Sequence, residues 1–276
     1  MENDILVNFY ENHCNEEERL LSREGNVEFV TTMKYIKEYL GDDKNAKILE
    51  LGAATGRYSI ALADMGYQVT AVELVEHNLK VLKSKIKPEH RIVAEQGNAM
   101  DLSRYEDASF DMTLVLGPMY HLYNLEDKKK VMEEAVRVTK KGGVIMVAYC
   151  MNEAVMIHYM FGKKLITGYM ENDMFEEGFK CKSKPEEIID IVRIEDINQV
   201  NEGFPVKRDK IIATDGAARY LRHEMPEFTE EEYQLFIEYH LATCERYELL
   251  GASDHVLDIL VKESDPVKEE KGMPKQ

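Results

Sequence analysis

Apolar residues along the first half of the chain fall into short strand-like runs separated by sets at helical spacing. The runs predict strands at residues 47–51, 68–73, 91–94, 110–116 and 144–149, with helices at 58–65, 78–86 and 128–139 between them. The last of these helices is predicted to stop at the Lys-Lys-Gly-Gly sequence of residues 140–143. Strands that alternate with helices of this length predict a parallel sheet covered on both faces.

The pattern changes on either side of this unit. Residues 1–44 carry apolar positions at helical spacing, beginning with Leu20 and Leu21, until Gly41 breaks the helix. Residues 152–200 are predicted to be rich in helix, and late strands at 206–214 and 255–262 flank a helix at 229–246. The predicted fold is therefore α/β, with seven strands in a mostly parallel sheet, an antiparallel C-terminal edge, a helical N-terminal lid and a helical insertion.

The chain is predicted to consist of five segments. We expect residues 1–44 to form the N-terminal helical lid and residues 45–150 to form the ligand-binding α/β core. Residues 151–205 are predicted to be a helical insertion that caps a substrate, and residues 206–262 to complete the sheet with strands and a helix. The charged tail of residues 263–276 contains two prolines and is expected to be disordered.

Charge and composition narrow the functions that this fold could serve. There are 35 Lys and Arg residues against 52 Asp and Glu residues, a net charge of −17, so nucleic acid is not an expected partner. Hydrophobic residues make up 44% of the chain, which is enough for a sizeable core. The four cysteines form no CxxC pair, which indicates free thiols in a reducing compartment. The histidines show no metal-ligand spacing, so no metal site is expected.

The N-terminal sequence and the lengths of the apolar runs indicate where in the cell the protein is expected. The opening sequence MENDILVNFYENH is acidic and lacks the basic start and apolar run of a secretory signal. No apolar stretch approaches the roughly 20 residues that a membrane span requires. We therefore expect a cytoplasmic protein with no membrane partner, and the sequence leaves a homodimer open.

A glycine-containing loop follows the first predicted strand. Gly52 and Gly56 permit a tight turn and a close approach of a ligand to the backbone. The helix that follows points its free N–H groups at the same place. The dinucleotide fingerprint G-x-G-x-x-G would need glycine at two further positions, which hold Ala54 and Arg57. The chain has E-x-G-x-x-x-G instead, which argues against a nicotinamide dinucleotide.

Two acids accompany this loop. Glu50 lies at the end of the first strand, where its carboxylate would repel a pyrophosphate and attract a ligand ammonium group. Glu73 ends the second strand, 21 residues after Gly52, where an acid can accept hydrogen bonds from both hydroxyls of a ribose. S-adenosylmethionine has an ammonium, a sulfonium and an adenosine, and no phosphate. The alternative is a structural turn beside an ordinary surface acid.

At this point the sequence resembles a known family. Residues 48–74 look like the first motif through the second-strand acid of the class I S-adenosylmethionine-dependent methyltransferases. Residues 97–102 and 109–111 are similar to the family's adenine-reading loop and fourth strand, and residues 114–122 resemble the following loop of bacterial small-molecule members. The resemblance covers residues 46–150 and extends weakly to Tyr10, Arg19 and Glu28 and to residues 250–255. It implies a Rossmann-like core and S-adenosyl-L-methionine as the cofactor.

The resemblance also implies roles for individual residues. Glu50 would reach the cofactor's amino group, Glu73 the ribose hydroxyls, and Arg19 the carboxylate. Two positions depart from the family pattern, because Ala54 replaces a glycine and Asn98 an acid. The implied cofactor-binding residues are Tyr10, Arg19, Glu50, Gly52, Ala53, Gly56, Glu73, Leu74, Asn98, Ala99, Met100, Leu116 and Gly117.

Several of these roles have structural alternatives. Leu74 and Met100 also suit plain core positions, and Asn98 also suits a loop cap. The N-terminal segment could be a lid over the cofactor or an amphipathic helix on the sheet edge. Residues 151–181, rich in methionine and aromatics, could cover an adaptable acceptor pocket or belong to the core.

Methyl transfer from a sulfonium is an in-line displacement, so the protein must chiefly align the acceptor and exclude water. Tyr120 and His121 are the candidate catalytic residues, because their loop follows the strand beside the methyl donor. His121 could serve as a general base or as a hydrogen-bonding scaffold. The Asn/Asp-Pro-Pro-Tyr signature of amino-methyltransferases acting on bases or glutamine is absent.

The sequence therefore predicts an enzyme that transfers a methyl group to an O, N, S or C atom of a small-molecule acceptor. Two alternatives come from other classes. One is a non-catalytic module that binds S-adenosylmethionine, and the other is an NAD-dependent oxidoreductase, which the displaced glycine disfavours.

Overall fold

The computed structural model describes residues 2–12 and 22–264. Eight strands and nine α-helices are found there. The helices are α1 (Glu2–Asn12), α2 (Arg23–Leu40), α3 (Arg57–Asp64), α4 (Glu76–Lys85), α5 (Leu125–Val138), α6 (Asn152–Val155), α7 (Ile166–Glu171), α8 (Ile194–Asn201) and α9 (Glu230–Thr243). The strands are β1 (Lys47–Leu51), β2 (Gln68–Glu73), β3 (Ile92–Gln96), β4 (Phe110–Val115), β5 (Thr139–Met151), β6 (Ile191–Val192), β7 (Val206–Ala213) and β8 (His255–Lys262).

The strands form one mixed sheet in the order β3-β2-β1-β4-β5-β8-β7. Strands β1 to β5 pair in parallel, whereas β8 pairs antiparallel with both β5 and β7. The predicted mostly parallel sheet with an antiparallel C-terminal edge is thereby confirmed. The two-residue strand β6 is an addition to the seven predicted strands, and it pairs in parallel with the end of β5. The strand order reverses at β1, which places a ligand crevice at the carboxyl ends of β1, β2 and β4.

Both faces of the sheet are covered, as the apolar runs predict. Residues alternate between the faces along β1, where Ile48 packs on one side and Leu49 on the other. Helices α5 and α8 cover the face of Leu49, and helices α2 and α3 cover the face of Ile48. Fully burying each such side chain contributes roughly 1.5–3 kcal/mol.

Two predictions about this region need correction. Helix α5 ends at Val138, and residues 140–143 belong to β5 and do not separate the helix from the strand. Gly142 and Gly143 lie where the pairing of β4 with β5 shifts register. Phe110 of β4 pairs with Thr139, whereas Met112 pairs with Val144. The predicted strand at 91–94 is observed one residue later at its start and two residues later at its end.

The N-terminal segment has two parts with different surroundings. Helix α2 packs on the sheet through Met33, Tyr35 and Ile36, and it ends at Gly41 as predicted. Helix α1 instead lines the cavity described below. The predictions that concern Leu20, Leu21 and residues 265–276 lie outside the described residues.

Three cysteines, Cys150, Cys181 and Cys244, are buried free thiols, and Cys14 lies outside the described residues. Within residues 2–12 and 22–264, no helix is long and apolar enough to cross a membrane.

Candidate functional site

A cavity of about 510 Å³ opens at the carboxyl ends of the parallel strands. It is bordered by the loops after β1, β2, β3 and β4, by α1, and by the segment between β5 and α8. Most of the predicted cofactor residues line it: Tyr10, Glu50, Gly52, Ala53, Glu73, Leu74, Asn98, Ala99, Met100, Leu116 and Gly117. Both candidate catalytic residues, Tyr120 and His121, also line it. Arg19 lies outside the described residues.

The loop after β1 is held tightly against the loop after β4. Gly52 adopts φ +72°, and a Cβ added there would come within 2.8 Å of Pro118 Cδ and 3.1 Å of Gly117 Cα. A Cβ on Gly117 would in turn lie 3.1 Å from the carbonyl oxygen of Gly52. Glycine is therefore required at both positions by close approach of the two backbones, a reason the sequence could not supply.

Gly56 has a packing role. It adopts φ +85° at the start of α3, and a Cβ there would lie 2.1 Å from Leu82 Cδ1. Within the described chain, Gly56 is not among the residues that line the cavity. Its contact with a cofactor stays a prediction.

Ala54 stands at the position where the family pattern has glycine, and it adopts φ +47°. A side chain in this left-handed region costs the folded protein about 1–2 kcal/mol of backbone strain. Replacing Ala54 with glycine would remove this strain, but part of the gain would be offset by the greater conformational freedom of glycine in the unfolded chain. We expect Ala54→Gly to raise the free energy of unfolding by about 1 kcal/mol, measured by urea denaturation. Ala53→Gly is the matched control and should destabilise, because Ala53 is buried and has no positive φ. An Ala54→Gly variant no more stable than the unmodified protein would contradict the inference that the Ala54 backbone is strained.

Glu73 is buried and joins two loops of the site. Its carboxylate accepts a hydrogen bond from the backbone N–H of Ala54 at 2.8 Å and from that of Val75 at 2.8 Å. A carboxylate has about four lone-pair positions, so further donors can bind to the same oxygens. Glu73 thus orders the cavity wall and also presents acceptors to a ligand.

Glu50 is almost completely buried beneath the same loop. Burial raises the pKa of the Glu50 carboxyl to about 7, a shift opposed by the hydrogen bond from Ser59 and assisted by the nearby charge of Glu73. Two carboxylates so close together favour a cationic ligand, which would lower the cost of ionising both.

The loop after β3 carries the residues predicted to frame an adenine. Asn98 Oδ1 accepts a hydrogen bond from the Met100 backbone N–H at 2.9 Å, so Asn98 is a loop cap in this structure. Ala99 is buried, and Met100 packs partly against the core. Leu74 is half-buried and lines the cavity without joining a core cluster. Their contacts with adenine stay predictions.

His121 connects the N-terminal helix to the insertion. Its Nδ1 lies 2.9 Å from the carbonyl oxygen of Ile188, and its Nε2 lies 2.9 Å from the hydroxyl of Tyr10. A carbonyl only accepts, so Nδ1 carries the proton and Nε2 accepts from Tyr10. The Tyr120 hydroxyl donates to the backbone carbonyl of Leu116. Both candidate catalytic side chains thus have structural hydrogen bonds, and their roles in catalysis stay predictions.

The cavity wall also includes charged or titratable side chains to which the sequence analysis assigned no role. These are Glu28, His158, Arg219, Asp254 and His255. Of these, the sequence pointed only to Glu28 and to the two residues within 250–255, through the weak extension of the family resemblance. His158 and Arg219 lie in segments without a motif, and tertiary packing alone brings them to the cavity.

His255 is held by a network at the start of β8. Its Nδ1 lies 2.8 Å from Asp215 Oδ2, and Ser253 Oγ donates to the other oxygen of Asp215 at 2.5 Å. Burial alone would lower the pKa of His255. The ionisable groups around it, with Cys150 and Glu28 ahead of Asp215, raise that pKa well above its usual range. This shift favours the protonated form of the His255 imidazole.

The methionine-rich segment divides between core, cavity and surface. Met160 and Met174 are buried and line the cavity, whereas Met170 is 53% exposed. Met156 and Met160 pack with Cys181 in a small cluster of the insertion. The methionine-rich segment thus contributes both to a local hydrophobic core and to the cavity wall. In residues 2–12 and 22–264, no group of three His, Cys, Asp or Glu side chains has metal-binding geometry.

A doubly covered parallel sheet with an acid-lined crevice at its switch point is typical of α/β proteins that bind a nucleotide-like ligand there. Comparison with known proteins narrows the class of protein. Residues 49–147 match the family described as the methyltransferase domain. A demethylmenaquinone methyltransferase from Paenarthrobacter aurescens is 31% identical over 140 residues, which is 51% of this chain and 51% of that protein. A ubiquinone biosynthesis O-methyltransferase from Idiomarina loihiensis is 33% identical over 100 residues, 36% of this chain and 40% of that protein.

Solved structures agree on the fold. A SAM-dependent methyltransferase from Methanosarcina mazei has a TM-score of 0.55 at 13% identity, with 83% of this chain and 96% of that chain covered. The match of residues 49–147 to the methyltransferase domain and the shared fold support the resemblance to class I S-adenosylmethionine-dependent methyltransferases, whose cofactor is S-adenosylmethionine. The chain spans 51% and 40% of the length of these two curated relatives.

Proposed function

We propose that this protein transfers a methyl group from S-adenosylmethionine to a small molecule with a phenolic or quinol ring. One observation carries the proposal: a single cavity is lined both by Glu50 and Glu73 and by Met160 and Met174 of the insertion. Donor and acceptor can therefore share one cavity, which in-line displacement requires. The volume of about 510 Å³ lies in the range of small-molecule sites.

The residues at the β1 end fit the cofactor. Buried Glu50 and Glu73 supply the negative charge that an ammonium and a sulfonium need, and Gly52 leaves the backbone of its loop exposed to the cavity. Glu50 would bind the amino group and Glu73 the ribose hydroxyls, with Leu74, Asn98 and the other predicted residues around the adenine. When bound, the cofactor supplies an activated methyl group on a positively charged sulfur. The protein's own contribution is to orient both partners and exclude water.

The acceptor class follows from the insertion residues of the cavity wall and from the relatives. Methionine and aromatic side chains of the insertion suit a flat apolar ring. The relatives' names refer to quinone-type molecules, namely demethylmenaquinone and the products of ubiquinone biosynthesis. Transfer to oxygen or to ring carbon is compatible with such an acceptor, and we favour it over transfer to nitrogen or sulfur. The N-terminal helix α1 would act as a lid, because Leu6, Phe9 and Tyr10 border the cavity.

Two experiments test this function in order. S-adenosylmethionine and S-adenosylhomocysteine should raise the melting temperature by mass action, and NAD should not. Radiolabelled methyl from S-adenosylmethionine should then appear on dihydroxynaphthalene or tert-butylcatechol, and not on phenethylamine. Stabilisation by NAD alone would indicate an oxidoreductase. Cofactor binding without transfer to any acceptor, including a metabolite extract, would indicate a non-catalytic module.

A further inference from the structure

His158 and Asp254 form an aspartate–histidine pair that lines the cavity where the insertion meets the start of β8. His158 lies in a π-helical turn at Met156–Phe161 of the insertion, and Asp254 lies just before β8. Both line the cavity, and their side chains are only 9% and 8% exposed. Single π-helical turns are frequent at functional sites because they re-aim a side chain.

The hydrogen bond between them fixes the form of the imidazole. His158 Nε2 contacts Asp254 Oδ1, and Arg219 Nε lies 3.0 Å from the other oxygen, Asp254 Oδ2. A carboxylate paired with a guanidinium accepts hydrogen bonds and does not donate them. Nε2 therefore carries the proton, and the lone pair of the neutral ring lies on Nδ1.

Nδ1 of His158 is buried and has no hydrogen-bond partner within the described part of the chain. Leaving a buried acceptor without a donor is unfavourable. A hydroxyl of the bound acceptor would supply the missing donor. This is the arrangement of a general base that is oriented by a third group and awaits its substrate.

The other two cavity histidines are less suited to this task. His121 has hydrogen bonds at both nitrogens, to Tyr10 and to Ile188. His255 has its Nδ1 on Asp215, and the raised pKa of its imidazole favours the protonated ring, which has no lone pair to offer.

We propose that His158, oriented by Asp254, is the general base that removes the proton from the hydroxyl of the acceptor. The inference rests on the proposed function, and it specifies a hydroxyl acceptor. As the acceptor oxygen bonds to the methyl carbon, the carbon–sulfur bond breaks and its electron pair stays on sulfur. The hydroxyl proton moves to Nδ1, and Asp254 stabilises the imidazolium until the proton passes to water.

The decisive variant is His158→Gln. A glutamine side-chain amide can still donate to Asp254 but offers no basic nitrogen at the Nδ1 position. We expect kcat for tert-butylcatechol to fall about 100- to 1,000-fold, with affinity for S-adenosylhomocysteine within about twofold of the unmodified protein. The acidic limb of the kcat profile against pH should disappear, so that the loss shrinks as the acceptor ionises at high pH. Among the described residues, Asp254 contacts His158, Arg219 pairs with Asp254, and the Tyr220 ring lies edge-on to the His158 ring at 6.0 Å between centroids.

The chain offers a matched control in His90. Its Nε2 lies 2.9 Å from Asp64 Oδ1, so it forms a second aspartate–histidine pair, but away from the cavity. His90→Gln should leave kcat and its pH profile unchanged.

A second variant guards against poor folding of the first. Asp254→Asn can donate to Nε2 and would move the ring proton onto Nδ1, so kcat should fall at least about tenfold. Unmodified kcat and pH profile in either folded variant, while the parent protein methylates the acceptor, would overturn the role of His158 and leave the proposed function standing. A parent protein that methylates no acceptor would overturn both.

Discussion

Replacing Glu73 with alanine should lower the affinity for S-adenosylhomocysteine at least about 100-fold, or about 2.7 kcal/mol. The variant loses the acceptor for the ribose hydroxyls. It also leaves the buried N–H groups of Ala54 and Val75 without their carboxylate partner, which costs about 1–3 kcal/mol each and should lower the melting temperature. Isothermal titration calorimetry measures the affinity, and a thermal melt measures the stability.

The ribose contact can be separated from the loss of loop order. An S-adenosylhomocysteine analogue without ribose hydroxyls should bind the parent protein weakly, and Glu73→Ala should not weaken it much further. Glu76→Ala is the matched control, because Glu76 is an exposed acid paired with Lys80 just after the same strand. Equal affinity of the Glu73 variant and the parent protein for S-adenosylhomocysteine would remove Glu73 from the ribose role.

Replacing Glu50 with glutamine should stabilise the ligand-free protein and weaken the cofactor at the same time. The pKa of Glu50 is about 7 in the folded protein and near its ordinary value of 4.5 when unfolded. The stability that depends on a protonated Glu50 is fully present below pH 4.5 and is lost as the pH rises through 7. Above pH 7 the variant should be more stable than the parent protein by up to about 3 kcal/mol, and below pH 4.5 the difference should vanish.

Cofactor affinity should show the opposite trend. The ammonium of S-adenosylmethionine needs the ionised carboxylate, so affinity of the parent protein should rise about tenfold between pH 5.5 and 7, where the ammonium stays charged. Glu50→Gln should bind about tenfold or more weakly at pH 7 and lose this dependence. Ser59→Ala removes a donor that lowers the pKa of Glu50, so it should move the rise to higher pH. A parent affinity that is flat across this range would contradict a contact between Glu50 and the ammonium.

The part of the cavity formed by the loops after β1 and β2 could be predicted because its signals are local in sequence. The glycines at 52 and 56, Glu50 and Glu73 all lie within 24 consecutive residues, and turn chemistry and strand ends place them without knowledge of distant contacts. Gly52 and Gly56 both adopt positive φ, as the predicted tight turn requires. Packing contacts add a second reason for each, Gly56 against Leu82 and Gly52 against the loop after β4.

The part of the cavity wall that contains His158 could not be predicted in the same way. His158, Arg219 and Asp254 come from three segments, and Asp254 is 96 residues away from His158. Their meeting depends on β8 inserting between β5 and β7, which no local pattern encodes. Strand β6 was missed because a strand of two residues has no periodicity.

The position of β8 also affects how the protein acquires its site during synthesis. This strand is made after every other strand of the sheet, yet it lies in the interior between β5 and β7. A nascent chain on the ribosome can complete the parallel β1 to β4 unit and its cofactor loops while the edge of β5 is still bare. The segment that carries Asp254 and His255 then completes both the sheet and the cavity wall around His158. We therefore expect a nascent chain to acquire affinity for S-adenosylmethionine before it can hold an acceptor.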